Sequence, residues 1–302
     1  MRKAIRCGIL VQLVICIAVS SYGAETVKLR LLTAAYMDDK GSALKRPEGV
    51  AFDEKSLLVV ADTGNGRILQ YNFNGDRLAP LAPLVVPQLP YPIQVQIDPQ
   101  GEIMALDGKS RRIVRVTPSG EFKGYLDPTG IPTSGTVVPR SFKVDRKGNV
   151  YILDIFSARV LVLDPSGKFQ REIPFPQKYG FFSDLAVDGN GTVFLVDSVG
   201  GKVYTAKRDA TAVTPFSESL QEDLDFPISI ASDSRGRLFL SDQNGSGIVI
   251  LGPDGSFRGR QSGMGWKEGL LRYPSALYIS DNGTLFIADR GNSRVQVFSI
   301  IQ

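Results

Sequence analysis

Carboxylates are the groups with which this chain could do chemistry. It has no histidine, and its two cysteines, Cys7 and Cys16, both lie in an apolar N-terminal stretch. Without histidine there is no histidine–zinc site and no serine or cysteine triad. A Ser–Lys arrangement has no support in the sequence. What remains is carboxylate oxygen, which suits a hard cation such as calcium.

Eleven of the 31 carboxylates fall in two columns. Asp62, Asp107, Asp154, Asp197, Asp242 and Asp289 are separated by 45, 47, 43, 45 and 47 residues. Nine residues before them stand Asp53, Asp98, Asp145, Asp188, Asp233 and Ser280. Five residues after them stand Arg67, Arg112, Arg159, Lys202, Gly247 and Arg294. One active site does not need six copies of a residue, so both columns read as architecture. The earlier column opens Asp-x-x-Gly turns such as Asp98 to Gly101, which is type I turn chemistry. The later one pairs with the basic column as a turn brace.

The positions around a third column are different. Pro47, Pro92, Pro139, Phe182, Pro227 and Pro274 hold register, but their neighbours do not repeat. Just before them are Arg46, Tyr91, Val138, Phe181, Phe226 and Tyr273. Just after are Glu48, Ile93, Arg140, Ser183, Ile228 and Ser275, then Gly49, Gln94, Ser141, Asp184, Ser229 and Ala276. One geometry with divergent chemistry is what an asymmetric ligand requires. The candidate binding residues are therefore Arg46, Glu48, Tyr91, Gln94, Arg140, Asp184, Phe226 and Tyr273, with polar groups inside an aromatic rim. Long, varied loops precede the proline column. The loop at 260–273 holds the only tryptophan, Trp266, and is the second candidate surface.

The element that carries these columns is clearest at GTLFIADRGNSRVQVF, from Gly283 to Phe298. An apolar run ends on Asp289, a turn follows at 290–293, and Arg294–Phe298 alternates polar and apolar as a half-buried strand does. Gly and Asn in the turn supply the expected positive φ. Six copies at this period predict a repeat architecture. The first copy, PEGVAFDEKSLLVVADTGNGRILQY (Pro47 to Tyr71), and the sixth, PSALYISDNGTLFIADRGNSRVQVF, are similar to the NHL repeat. The resemblance extends from about Leu44 to the C-terminus. It implies an all-β, six-bladed propeller of four-stranded blades, with first strands lining a central channel. The sixth copy stops after its third strand, so residues 26–34, in which Val27, Leu29 and Leu31 alternate with Lys28 and Arg30, are expected to complete the last blade.

Residues 1–24 read as a secretory signal, and 25–302 as the propeller. Arg2, Lys3 and Arg6 precede an apolar run from Ile9 to Val19 and small residues up to Ala24. The run is shorter than a spanning helix needs. Its removal leaves 32 basic against 31 acidic side chains, which argues against nucleic acid or an anionic membrane as partner. An extracytoplasmic, periplasmic or secreted monomer is expected, stabilised by its core alone.

The resemblance leaves two functions open. Amidating lyases of this fold hold zinc with histidines, which this chain lacks. Gluconolactonase-like propellers hold a divalent metal with a first-blade glutamate plus later asparagine and aspartate. Glu48 resembles that first ligand, but the matching later positions are Ile228-Ser229 and Ser275-Ala276. The leading expectation is a binding or scaffold module without a cofactor, taking a protein, peptide, glycan or small-molecule partner at the channel mouth. The alternative that the resemblance implies is a calcium-dependent hydrolase or lactonase, with Glu48 and Asp184 as the candidate calcium ligands.

Overall fold

The computed structural model describes residues 27–132 and 135–301. The signal-like segment lies outside them. Six four-stranded antiparallel sheets are arranged as blades. The innermost strands are Gly49–Phe52, Pro92–Ile97, Pro139–Val144, Phe182–Val187, Pro227–Ser232 and Ala276–Ile279. In the first five blades the strands run outward in chain order; in the sixth, Thr284–Asp289 and Arg294–Ile301 follow Ala276–Ile279, and the outermost strand comes from the N-terminal end.

Apolar side chains on both faces of each sheet have one place to go, the seam with the next blade. Six buried clusters fill six seams. One joins blades six and one, where Phe52 stacks on Phe286 at 4.8 Å between centroids and Phe73 meets both edge-on. Another joins blades three and four. There Phe182 takes the proline position and packs among Phe175, Tyr179 and Tyr204, which explains its departure from the column.

The N-terminal strand closes the ring. Lys28–Ala35 pairs antiparallel with Arg294–Ile301, from Lys28 opposite Ile301 to Ala35 opposite Val295, with one irregularity between Leu31 and Thr33. The alternation of Val27, Leu29 and Leu31 turns these side chains into the seam between blades five and six, where Val27 is buried. The strand starts and ends one to two residues later than the sequence suggested.

The outer strands, such as Leu78–Pro80 and Phe257–Gln261, are short and partly exposed. The positive φ of the turn after the second strand falls on Ser293, not on Gly291 or Asn292. Its equivalents Gly66, Arg111, Ala158, Gly201 and Ser246 are left-handed as well. The repeat imposes this conformation even where no glycine supplies it.

Closure has a measurable energy. A chain beginning at Tyr36 loses one fully buried and three half-buried large apolar side chains (Val27, Leu29, Leu31, Leu32) and exposes the Arg294–Ile301 edge. At about 1.5–3 kcal/mol per full burial the loss is about 5 kcal/mol, comparable with the stability of a typical domain. Denaturant titration should find this chain aggregated or unfolded; an unchanged midpoint would refute closure.

Candidate functional site at the channel mouth

The later aspartate column builds the mouth. All six side chains are buried. Asp62 accepts the backbone N–H of Lys45 at 2.7 Å, Asp107 that of Tyr91, Asp154 that of Val138, Asp197 those of Gly180 and Phe181, Asp242 that of Phe226 and Asp289 that of Arg272. Each carboxylate thus pins the loop entering its blade to the turn between second and third strands. Arg67, Arg159 and Arg294 bind their aspartates from below, as the spacing suggested. Arg112 instead pairs with Asp127 and lies over the Tyr125 ring. Gly247 has no side chain to offer, and Arg260 reaches from the outer strand to Asp242 at 2.8 Å.

The proline column shapes the inner wall. In blades two to five the register slips just after it, between Pro92 and Gln94, Pro139 and Ser141, Phe182 and Asp184, and Pro227 and Ser229. The extra residue is Ile93, Arg140, Ser183 or Ile228. A bulge of this kind re-aims one side chain per blade, here into the channel. Blades are then joined by hydroxyls that donate to the next proline carbonyl: Thr63 to Pro92 at 2.6 Å, Ser241 to Pro274, and Ser275 to Pro47 at 3.0 Å.

A cavity of about 310 Å³ opens at this end. Glu48, Gln94, Arg140, Asp184 and Phe226 all line it. Arg46, Tyr91 and Tyr273 are not among its lining residues. Arg46 and Tyr273 are exposed and left-handed, and Tyr91 lies under the Lys109 ammonium. Sequence reasoning missed Arg290, Gln243 and Lys143, which also line the cavity. The column one residue after the braces, with Gln243 and Arg290 in it, varies as much as the proline flanks and carried that signal.

Much of the polar lining is engaged internally. The Gln94 amide donates to the Ser141 hydroxyl and the Phe142 carbonyl, each at 3.0 Å. The Ser141 hydroxyl donates to Asp184 in turn. The other Asp184 oxygen accepts from the Ser229 hydroxyl at 2.8 Å and the Ile230 N–H, with the Lys143 ammonium at 3.9 Å. This belt crosses blades two to five. Glu48 is paired with Arg290 at 3.1 Å. Among the described residues, no three acidic side chains group as a metal site would need. Glu48 and Asp184, the calcium candidates, each carry a basic partner instead.

Arg140 is the exception. Its Nε is buried without a hydrogen-bond partner. Its guanidinium lies 5.6 Å from the Phe181 ring centroid. Burial depresses its pKa, Asp184 opposes that, and the Arg111 guanidinium adds to the depression.

The channel opens again on the opposite face, in a cavity of about 480 Å³. Gln96, Lys143 and Leu277 line both ends. There Arg146 of blade three pairs with Asp281 of blade six, and Tyr278 donates to Glu54 at 2.7 Å. Burial and Glu54 push the Tyr278 hydroxyl well above the usual phenol range.

Residues 271–298 match the family model for the NHL repeat. No curated protein sequence matches the chain. Among solved structures, virginiamycin B lyase from Staphylococcus aureus is similar over 91% of this chain and 100% of its own, at 15% identity and a TM-score of 0.61. Its catalytically inactive histidine-to-alanine form with quinupristin is similar at 14% identity and 0.61, over 91% of this chain and 100% of that one. A gluconolactonase from Xanthomonas campestris is similar over 92% of this chain and 96% of its own, at 16% identity and a TM-score of 0.67. At these identities the likeness is one of fold.

The borrowed guanidinium of blade five can be tested. Arg260→Ala leaves the buried Asp242 with backbone donors alone and should cost about 2 kcal/mol, less than a fully buried pair because Arg260 is part-exposed. A Cβ on Gly247 would sit 2.7 Å from Arg260 Nε, so Gly247→Arg alone should also destabilise. Together they restore the Asp–Arg arrangement of blades one and six, and denaturation midpoints should recover at least half the loss. Simple additivity of the two losses would show that Arg260 is not a substitute brace.

Proposed function

Taking this chain as an NHL-repeat six-bladed propeller, we propose that it is an exported binding module that seats a polypeptide partner on the channel-mouth face. The observation that carries this reading is the distribution of exposed apolar side chains. Phe156 (69% exposed), Val199 (61%), Met264 (60%) and Trp266 (76%) stand on the turns and entering loops of that face, with Met37 and Tyr179 beside them. On the opposite face, among the described residues, the exposed large apolar side chains are Phe257 and Ile301. Apolar side chains presented together on one face are a mark of protein association. They belong to blades three, four and six and to the loop entering blade one, a spread wider than the 310 Å³ cavity between them. That favours a polypeptide over a small ligand. The signal-like N-terminus supports placement outside the cytoplasm.

A second reading, a calcium-dependent lactonase or hydrolase, is favoured by the gluconolactonase likeness and by Glu48 at the mouth. Against it stand the Glu48–Arg290 pair and the Lys143 ammonium beside Asp184. Lyase chemistry that depends on histidine has no residue to perform it here.

Capture from the extracytoplasmic fraction separates these readings. Phe156→Ser with Trp266→Ser should keep the wild-type melting temperature, since both side chains are exposed, and weaken partner binding at least tenfold, as loss of aromatic anchors does. Equal capture by wild type and variant would remove the mouth face as the docking surface. For the second reading, calcium should raise the melting temperature of wild type but not of Glu48→Ala. An absence of that difference, with no lactone hydrolysis, would dispose of it.

A further inference from the structure

Resting on that reading of the mouth face, the geometry points to an anion-receiving subsite at Arg140, extended by Arg111, which takes a carboxylate or phosphate group carried by the partner. Arg140 is the bulged residue of blade three and is aimed into the mouth cavity by the register slip after Pro139. A buried guanidinium N–H without an acceptor is costly, and native structures seldom leave one unmet without a reason. Arg140 Nε is in that state, and so is Nη1 of Arg111, in the neighbouring turn of blade two; Arg67, Arg115 and Arg171 also hold such a nitrogen, but of these arginines only Arg140 lines the mouth cavity, with the Arg111 charge acting on it from outside the lining.

The carboxylates that might neutralise them are held by other groups. Glu48 is bound to Arg290. Asp184 accepts from Ser141, Ser229 and the Ile230 N–H and faces Lys143. The charged groups lining the cavity are Glu48 and Asp184 against Arg140, Lys143 and Arg290. The balance is positive before Arg111 is added. The Phe181 ring steadies Arg140 through its face and supplies no acceptor. Arginine's planar fork suits carboxylate and phosphate alike. Ile93, Ile228 and Phe226 line the same space, so the acceptable group is an anion at the end of an apolar segment.

The test is thermal melting of the protein in inorganic phosphate, in succinate and in chloride at matched ionic strength. Wild type should be stabilised by one or both oxyanions and not by chloride; which of them acts separates phosphate from carboxylate recognition. Arg140→Gln should melt in chloride within a few degrees of wild type and bind the oxyanion at least tenfold more weakly. Arg140→Lys should retain part of the response, and Arg111→Gln should fall between. No oxyanion response in wild type, or an equal one in Arg140→Gln, overturns the subsite. The Phe156→Ser, Trp266→Ser protein keeps the anion machinery and should respond as wild type does. Partner capture that depends on those aromatics without any anion response therefore sinks the subsite alone. An intact anion response with capture indifferent to the aromatics sinks the mouth-face reading alone.

Discussion

The buried aspartate at the end of each second strand is the contact on which the rest of the molecule depends. A carboxylate stripped of water must be compensated by hydrogen bonds, and here the donors are backbone N–H groups of a loop that would otherwise have nowhere fixed to lie. The result is reciprocal. The aspartate is tolerated because the loop is there, and the loop is placed because the aspartate needs it. The guanidinium that adds to this support varies from blade to blade: Arg67, Arg159 and Arg294 supply it from the third strand, Arg260 supplies it from the fourth where Gly247 has no side chain, and Asp107 is held by backbone N–H groups while Arg112 turns to Asp127.

With the loops fixed, the inner wall is free to vary. Each bulge spends one residue that pairs with nothing in the ladder and lines the channel, although Ser183 also donates to the Pro227 carbonyl and Ile93 also packs on a seam cluster. The residue after it does not share this freedom. Gln94, Ser141, Asp184 and Ser229 hold each other across blade boundaries, so they act as a belt of fixed polarity under the mouth. In blade one the equivalent position is Gly49, where a Cβ would stand 2.8 Å from the Cα of Gln94. Two adjacent positions on one strand therefore differ, one held in a belt of hydrogen bonds and the other released from the ladder.

This division explains what was legible beforehand. The blades, their number and the closing strand could be read because a six-fold period averages out local ambiguity. The mouth was legible as a place, since divergent columns inside a regular frame mark the surface that architecture does not constrain. Its membership was legible only in part. Asp184 looks like a free carboxylate while its column is read one blade at a time; its partners Ser141 and Ser229 occupy the same column in neighbouring blades. Tyr91 and Tyr273 look like an aromatic rim, but neither lines the cavity; in blade two the register slip turns Ile93, the residue after the proline, toward the channel. Phe226 reaches the cavity from the position just before its proline. No pattern of residue types announces a bulge. The unmet nitrogens of Arg140 and Arg111 are a matter of distances between groups far apart in the chain, which composition and spacing do not encode.

The clasp between the first and last strands sets an order of events. Lys28 meets Ile301, so the earliest described strand finds its partner only among the final residues. Every other sheet is assembled from a stretch of under 60 residues and can form as soon as that stretch is available. The first strand must wait unpaired while five blades take shape, carrying its leucines and an open edge through most of the chain's emergence. Contacts of such separation are formed late, and exposed edges attract other chains meanwhile. For this protein the vulnerable interval lies between the appearance of one end of the ring and the arrival of the other.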